Sequence, residues 1–304
     1  MVYDSIVIGA GPSGMSACLY LLRAGKSVSL IEKEGIGGQI ALSPRLENYP
    51  SIVSISGSEF ADNLFTQISN LGVVFEFGEV KKVIKKGEGD FTVSTEYGSF
   101  DSKSVILATG CSHRCLNVPG EKELTGKGVS YCAVCDGAFY AGKEVLLIGD
   151  ANTALQYAIS LAAICTKVHV VTLFDHFFAD KILQERLLAL PNVTITHELN
   201  CTKIEQNDDK IETTFEDKKN GGSVKLTSDG VFVAIGQIPH NEAFEDLVVL
   251  ERGFIVTNDK METKTSGVYA CGDCRKKDVR QVITATNDGA VAATMCQAYL
   301  QGLA

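Results

Sequence analysis

Two stretches of the chain, far apart in sequence, carry the same pattern of apolar and polar positions. Residues 4–33 read DSIVIGAGPSGMSACLYLLRAGKSVSLIEK, and residues 143–174 read KEVLLIGDANTALQYAISLAAICTKVHVVTLF. Each is a short apolar run, a turn of small residues, an apolar run at helical spacing and a second β-rich run. That order predicts a strand–helix–strand unit, and its double occurrence predicts two dinucleotide-binding-type folds. Residues 57–70 read as a helix and residues 73–77 as the strand after it. Residues 79–108 hold short alternating strands of antiparallel type, and residues 105–110 close the first sheet. Residues 193–235 repeat the theme, and a last strand and helix span residues 267–300. Proline and glycine at Pro119-Gly120 and Pro239 mark linkers. The expected fold is therefore α/β, with two Rossmann-like, three-layer domains, the second inserted in the first. The expected boundaries are 1–116 with 243–304, and 117–242.

Composition narrows the class. A chain of 304 residues, 45% hydrophobic and 21% charged, has the balance of a globular protein with real cores. A net charge of −9 speaks against nucleic acid as the main partner, because gripping a phosphate backbone needs a basic face. No apolar run is long enough to cross a bilayer, and the N-terminus has no basic region of signal type, so a cytoplasmic location is expected. Ten cysteines at irregular spacings do not form a secreted disulfide framework. In a reducing compartment most are expected to be packed thiols, and any pair that does oxidise is a candidate for catalysis or regulation.

The first small-residue turn is Gly9-Ala10-Gly11-Pro12-Ser13-Gly14. Gly9 allows the tight turn, Gly11 lets backbone approach a pyrophosphate, and Gly14 lets helix and strand pack closely. Pro12 and Ser13 open the helix, whose N-terminus faces the anion. Glu32, at the end of the second strand, is placed to bind a ribose hydroxyl. Dinucleotide binding is the expectation for this segment.

Cys132-Ala133-Val134-Cys135-Asp136 precedes the second unit. Cysteines at this spacing can close a small disulfide, and exchange with a substrate disulfide runs through a mixed disulfide. Asp136 is the candidate proton donor or acceptor for the thiols. The competing reading is half of a zinc site, which would need a second ligand pair. Cys271-Gly272-Asp273-Cys274 has the spacing but falls in the other domain, so no metal is expected.

These segments, together with Gly37-Gly38-Gln39, Glu47-Asn48-Tyr49-Pro50, Ala108-Thr109-Gly110, Ala270-Cys271-Gly272-Asp273 and Arg280-Gln281-Val282-Ile283-Thr284-Ala285, resemble the low-molecular-weight thioredoxin reductase family over nearly the whole chain. The resemblance implies FAD as cofactor, with contacts from Gly38, Gln39, Asn48, Val80, Thr109, Gly110, Gly272, Asp273, Arg280, Gln281 and Val282 besides the first turn and Glu32. It also implies a redox role for Cys132 and Cys135, thioredoxin as partner, and a homodimer.

The second unit departs from that family. Its turn reads Gly149-Asp150-Ala151-Asn152-Thr153-Ala154, with Ala151 at the pyrophosphate glycine and the Asp150 charge beside the phosphate position. Family members carry a His-Arg-Arg…Arg cluster that grips the 2′-phosphate of NADPH. Here the arginine positions are Leu173, Phe174 and Phe178, and apolar groups make no bidentate phosphate contacts. Asp175 keeps an NADH-type site open. The pattern resembles the ferredoxin-dependent flavin thioredoxin reductases, which lack the nicotinamide-nucleotide motifs. On that resemblance no NADPH or NADH is expected to bind. Reduced ferredoxin would feed FAD, FAD the cysteine pair, and the pair thioredoxin. Arg275, Lys276, Lys277 and Arg280 are the candidate basic patch for an acidic ferredoxin. The alternatives are an NADPH- or NADH-dependent thioredoxin reductase with an atypical site, and a flavin-bound redox sensor.

Overall fold

The computed structural model describes residues 1–303. The chain divides into two compact units, residues 1–112 with 238–304, and residues 113–237. The passages between them fall a few residues before the expected boundaries. Along the chain the α-helices are α1 (Pro12–Arg23), α2 (Gly57–Ser69), α3 (Glu121–Leu124), α4 (Ala133–Asp136), α5 (Asn152–Ala162), α6 (Lys181–Leu188) and α7 (Val282–Gly302).

The first unit is built on a five-stranded sheet. Its strands, in spatial order, are Val268–Ala270, Val105–Leu107, Ser5–Ile8, Val28–Glu32 and Val74–Phe77. All neighbours are parallel. Side chains alternate across such a sheet, so each strand serves two cores. Val7, Leu30 and Ile106 face one side and pack with Met15 and Leu21 of α1, Ile68 of α2, and Ala292 and Leu300 of α7. Ile6, Ile8, Ile31 and Leu107 face the other and pack with Val83, Phe91 and Val93 from a second sheet. That sheet contains the antiparallel strands Val80–Gly87, Asp90–Thr95 and Ser99–Ser102. The result is the expected three layers.

The second unit repeats the plan. Val129–Ser130, Gly230–Val233, Glu144–Ile148, Lys167–Val171 and Val193–Thr196 form a five-stranded parallel sheet in that order. Val145 and Leu147 pack against Leu155, Ala158 and Leu161 of α5. Leu146 and Ile148 pack with Ile204, Ile211 and Phe215. The latter come from the antiparallel strands Leu199–Asn207 and Lys210–Asp217.

One linker expectation fails. Pro119-Gly120 lies inside the second unit, where Ile204 N donates to Pro119 O at 3.0 Å. Gly120 has φ +86°, and a Cβ there would fall on the Ile204 carbonyl. The pair is a tight packing point that starts α3, so the glycine answers to a neighbouring strand rather than to chain flexibility.

Candidate cofactor and redox sites

In the first unit the turn between Ser5–Ile8 and α1 has the geometry of a phosphate cradle. Gly9 has φ +109°, a region that disfavours side chains, and a Cβ on Gly14 would strike the Gly9 carbonyl. Gly11 is the N-cap and Pro12 opens the helix, so the first free N–H groups of α1 face out of the turn. Gly38 comes alongside: a Cβ on it would stand 3.6 Å from Gly11 Cα. Glu32 Oε2 accepts from Ala10 N at 2.8 Å, and Oε1 accepts from Glu34 N at 2.8 Å, which holds the carboxylate at the strand end.

The other predicted contacts gather around this turn in part. Ser13 is buried against Gly272, whose Cβ would collide with Ser13 Oγ. Gln39 Nε2 donates to Cys111 O at 2.7 Å, and Asn48 Nδ2 donates to Gln281 Oε1 at 3.1 Å. Thr109, next to Gly110, donates to buried Asn241 at 2.7 Å. Gln281 caps α7 in a reciprocal pair with Thr284, and Val282 is the first helical residue. Arg280 lies over the Phe254 ring at 4.3 Å and donates to Asp273 O and Arg275 O. Val80 sits in the core on the far face of the sheet, packed with Ile6 and Ile31, so its side chain is structural.

Asp273 is the telling residue. Its Oδ1 is buried and accepts no hydrogen bond, and burial pushes its carboxyl above the ordinary range against the pull of Lys277 and Arg280. A buried acceptor without a donor costs free energy unless a ligand supplies one. The cradle, the carboxylate at the strand end and this bare oxygen together fit a dinucleotide with polyol hydroxyls, as FAD has.

The predicted basic patch is corrected. Arg275 and Lys277 turn inward and pair with buried Asp288 at 2.9 and 3.0 Å. Lys276 alone of the run is exposed, and it pairs with Glu251 at 2.5 Å. Two cations around one acid, itself bonded to Gly272 N at 3.1 Å, brace the loop beside Asp273 instead of offering a docking face. Asp288 escaped the sequence reading. Its signal was being the one charged residue in the apolar helix α7.

In the second unit Cys132 and Cys135 form a disulfide, S–S 2.12 Å, at the start of α4. Cys135 N points to Cys132 Sγ at 3.2 Å. Asp136, half-buried, accepts from Ser130 Oγ at 2.6 Å, and its Oδ1 is buried with no partner. Burial pushes its carboxyl up, and the Ser130 bond offsets part of this. The disulfide is incompatible with a zinc half-site in this state. Cys271 and Cys274 lie in the other unit, fully buried, where desolvation holds both thiols protonated. Glu121, also missed in sequence, is buried and accepts from Leu116 N, Asn117 N and Tyr131 Oη at 2.7–2.9 Å. It ties the entry segment of the unit to the residue before Cys132.

The second small-residue turn is closed by its own chain. Phe178 N donates to Asp150 O at 2.8 Å, and Asn152 and Asp180 exchange hydrogen bonds at 2.8 and 2.9 Å. Leu173, Phe174 and Phe178 are 45%, 46% and 55% exposed, and the two phenylalanines stack edge-on at 5.1 Å. Asp150 is partly buried, and desolvation raises its pKa.

Residues 3–289 match the sequence model of the family described as pyridine nucleotide-disulphide oxidoreductase. The chain is 40% identical to the thioredoxin reductase of Bacillus subtilis (strain 168) over 304 residues, 99% of this chain and 96% of that one. Among solved structures it resembles thioredoxin reductase from Streptococcus pyogenes MGAS5005, with TM-score 0.95 and 39% identity over 99% of both chains. It also resembles Lactococcus lactis thioredoxin reductase, with TM-score 0.68 and 35% identity over 99% of both. No described helix is long and apolar enough to cross a membrane.

Proposed function

Starting from a chain that belongs to the pyridine nucleotide-disulphide oxidoreductase family, as a thioredoxin reductase-like flavoprotein, we propose that it reduces the disulfide of thioredoxin through Cys132 and Cys135, with Asp136 as the proton-handling group. The observation that carries this is the disulfide at the head of α4, with a buried, partly unpartnered carboxyl one residue on. FAD, when bound, supplies the electron pair that opens this disulfide. One cysteine thiolate then attacks thioredoxin's disulfide, and the other resolves the mixed disulfide, restoring the Cys132–Cys135 bond. Each thiolate released on thioredoxin takes a proton, and Asp136 is placed to hold one near the sulfurs. In the first unit the turn at Gly9–Gly14, Glu32 and Asp273 would hold the cofactor's pyrophosphate, ribose and polyol.

For the electron donor we propose reduced ferredoxin, two molecules giving one electron each. The support is chemical. Ala151, Leu173, Phe174 and Phe178 stand where cations and a bare glycine would grip NADPH, and Asp150 and Asp180 put two carboxylates at the head of α5. The inward turn of Arg275 and Lys277 removes the docking patch first considered for ferredoxin. The second reading, a pyridine nucleotide as donor, has the comparisons on its side: the family is named for that donor, and the likeness to thioredoxin reductases spans the whole chain. Anaerobic mixing of the oxidised holoenzyme with NADPH, NADH or reduced ferredoxin, followed by flavin absorbance, decides between them. Rapid bleaching by NADPH would overturn the ferredoxin reading and leave disulfide reduction standing. Bleaching with no subsequent reduction of thioredoxin would overturn the enzyme reading in favour of a sensor.

A further inference from the structure

Ser130 ends the strand Val129–Ser130, two residues before the redox pair, and is buried. Its hydroxyl has one hydrogen to give and lone pairs to accept with. Cys132 N donates into Ser130 Oγ at 3.1 Å. Two acceptors stand near the hydroxyl hydrogen: Asp136 Oδ2 at 2.6 Å and Cys132 O at 3.5 Å. The short contact to a carboxylate is the stronger one, so the hydrogen goes to Asp136. The amide of the first redox cysteine thus sets the hydroxyl, and the hydroxyl sets the carboxyl. Asp136 has no other side-chain bond, since its Oδ1 is buried and bare.

We propose that Ser130 is a positioning residue for Asp136, holding Oδ2 so that the bare Oδ1 is left to exchange the proton of the cysteine chemistry. The inference rests on the reading of Asp136 given above. The surroundings add little competition. The titratable neighbours are the two sulfurs of the same turn and Tyr140 on the next, whose phenol Asp136 and Asp229 together hold protonated. Helix α5 packs on α4 and brings Tyr157 as its one titratable side chain and no charge. Ser130 is therefore the main polar lever on a carboxyl that burial otherwise drives towards its neutral form.

The test is single-turnover oxidation of the dithionite-reduced holoenzyme by oxidised thioredoxin, read by flavin absorbance between about pH 5 and pH 9. No electron donor enters it, so the ferredoxin question is set aside. Wild type should show a pH limb that Asp136→Asn lacks. Ser130→Ala should keep the limb and move it up by about one pH unit, a tenfold change in proton affinity. Ser130→Thr, which keeps the hydroxyl, should restore its place. A limb that survives in Asp136→Asn defeats the reading of Asp136 itself. A limb lost in Asp136→Asn but unmoved in Ser130→Ala defeats the role of Ser130 alone. A carboxyl-carbon NMR titration of Asp136 in the oxidised holoenzyme reads the same upward move without turnover, and an unmoved titration in Ser130→Ala would equally overturn the proposal.

Discussion

Gly11 and Ala151 occupy the same place in two strand–helix turns, with similar backbones: φ −75°, ψ 178° at Gly11 and φ −102°, ψ −179° at Ala151. Any residue can adopt that conformation, and a Cβ on Gly11 would meet nothing within 4 Å. The protein itself therefore gains nothing from glycine there. Gly9 and Gly149 are different. They have φ +109° and +155°, and a Cβ on either would strike the carbonyl at the end of the next strand, Ala108 or Ala234. Both turns keep the glycine the fold requires. Only the first keeps the glycine that a closely approaching ligand requires. The contrast separates a turn that still serves a cofactor from one that serves as a frame for Cys132 and Cys135.

If that is right, the largest loss in the second unit comes from the sulfurs. Cys135→Ser should drop thioredoxin reduction to the uncatalysed exchange rate, while an external donor still bleaches the flavin. Loss of both steps would mean that the pair is not downstream of the flavin. Next in size is Gly14→Ala. Its methyl meets the Gly9 carbonyl, backbone against backbone, which cannot swing aside as a side chain could. Overpacking of this kind costs about 1–3 kcal/mol, visible as a lower midpoint in thermal unfolding of the apoprotein. An unchanged midpoint would show that α1 is free to back away.

Gly11→Ala should act in the opposite way. The methyl is free in the apoprotein, so stability should stay within about 0.5 kcal/mol of wild type. It would stand where a pyrophosphate approaches, so FAD affinity should fall by about tenfold to a hundredfold, or roughly 1.4–2.8 kcal/mol. Titration of FAD into apoprotein by fluorescence quenching measures it. Equal losses in stability and affinity would erase the distinction between the two kinds of glycine.

Much of this was readable in the linear chain because both signals are local. The alternation of Ile6, Val7 and Ile8 sets the two faces of a strand, and the spacing of Cys132 and Cys135 sets a disulfide within one turn. What could not be read depends on partners distant in sequence. Arg275 and Lys277 look like surface cations until Asp288 arrives from α7 and draws them in. Pro119-Gly120 looks like a hinge until Ile204 packs on it. Ser130 carries no motif at all, since its role depends on the turn that brings Asp136 back to within 2.6 Å of it.

The smallest expected effect is also the sharpest probe of the comparison. Ala151→Gly restores the shape of a ligand-binding turn without restoring its charge. Asp150 and Asp180 still stand at the head of α5, and Leu173, Phe174 and Phe178 still offer no donor to a phosphate. Shape alone should therefore change neither thioredoxin turnover nor the response of the flavin to NADPH. Charge is the missing part. Adding Leu173→Arg, Phe174→Arg and Phe178→Arg to Ala151→Gly would supply planar donors at exposed positions. The only packing lost is that of an edge-on aromatic pair, worth about 0.5–1.5 kcal/mol. NADPH binding should appear in the fourfold variant, read by equilibrium dialysis, and not in the single one. Binding of NADPH by Ala151→Gly alone would mean that one methyl group, and not the charges, had closed the second turn.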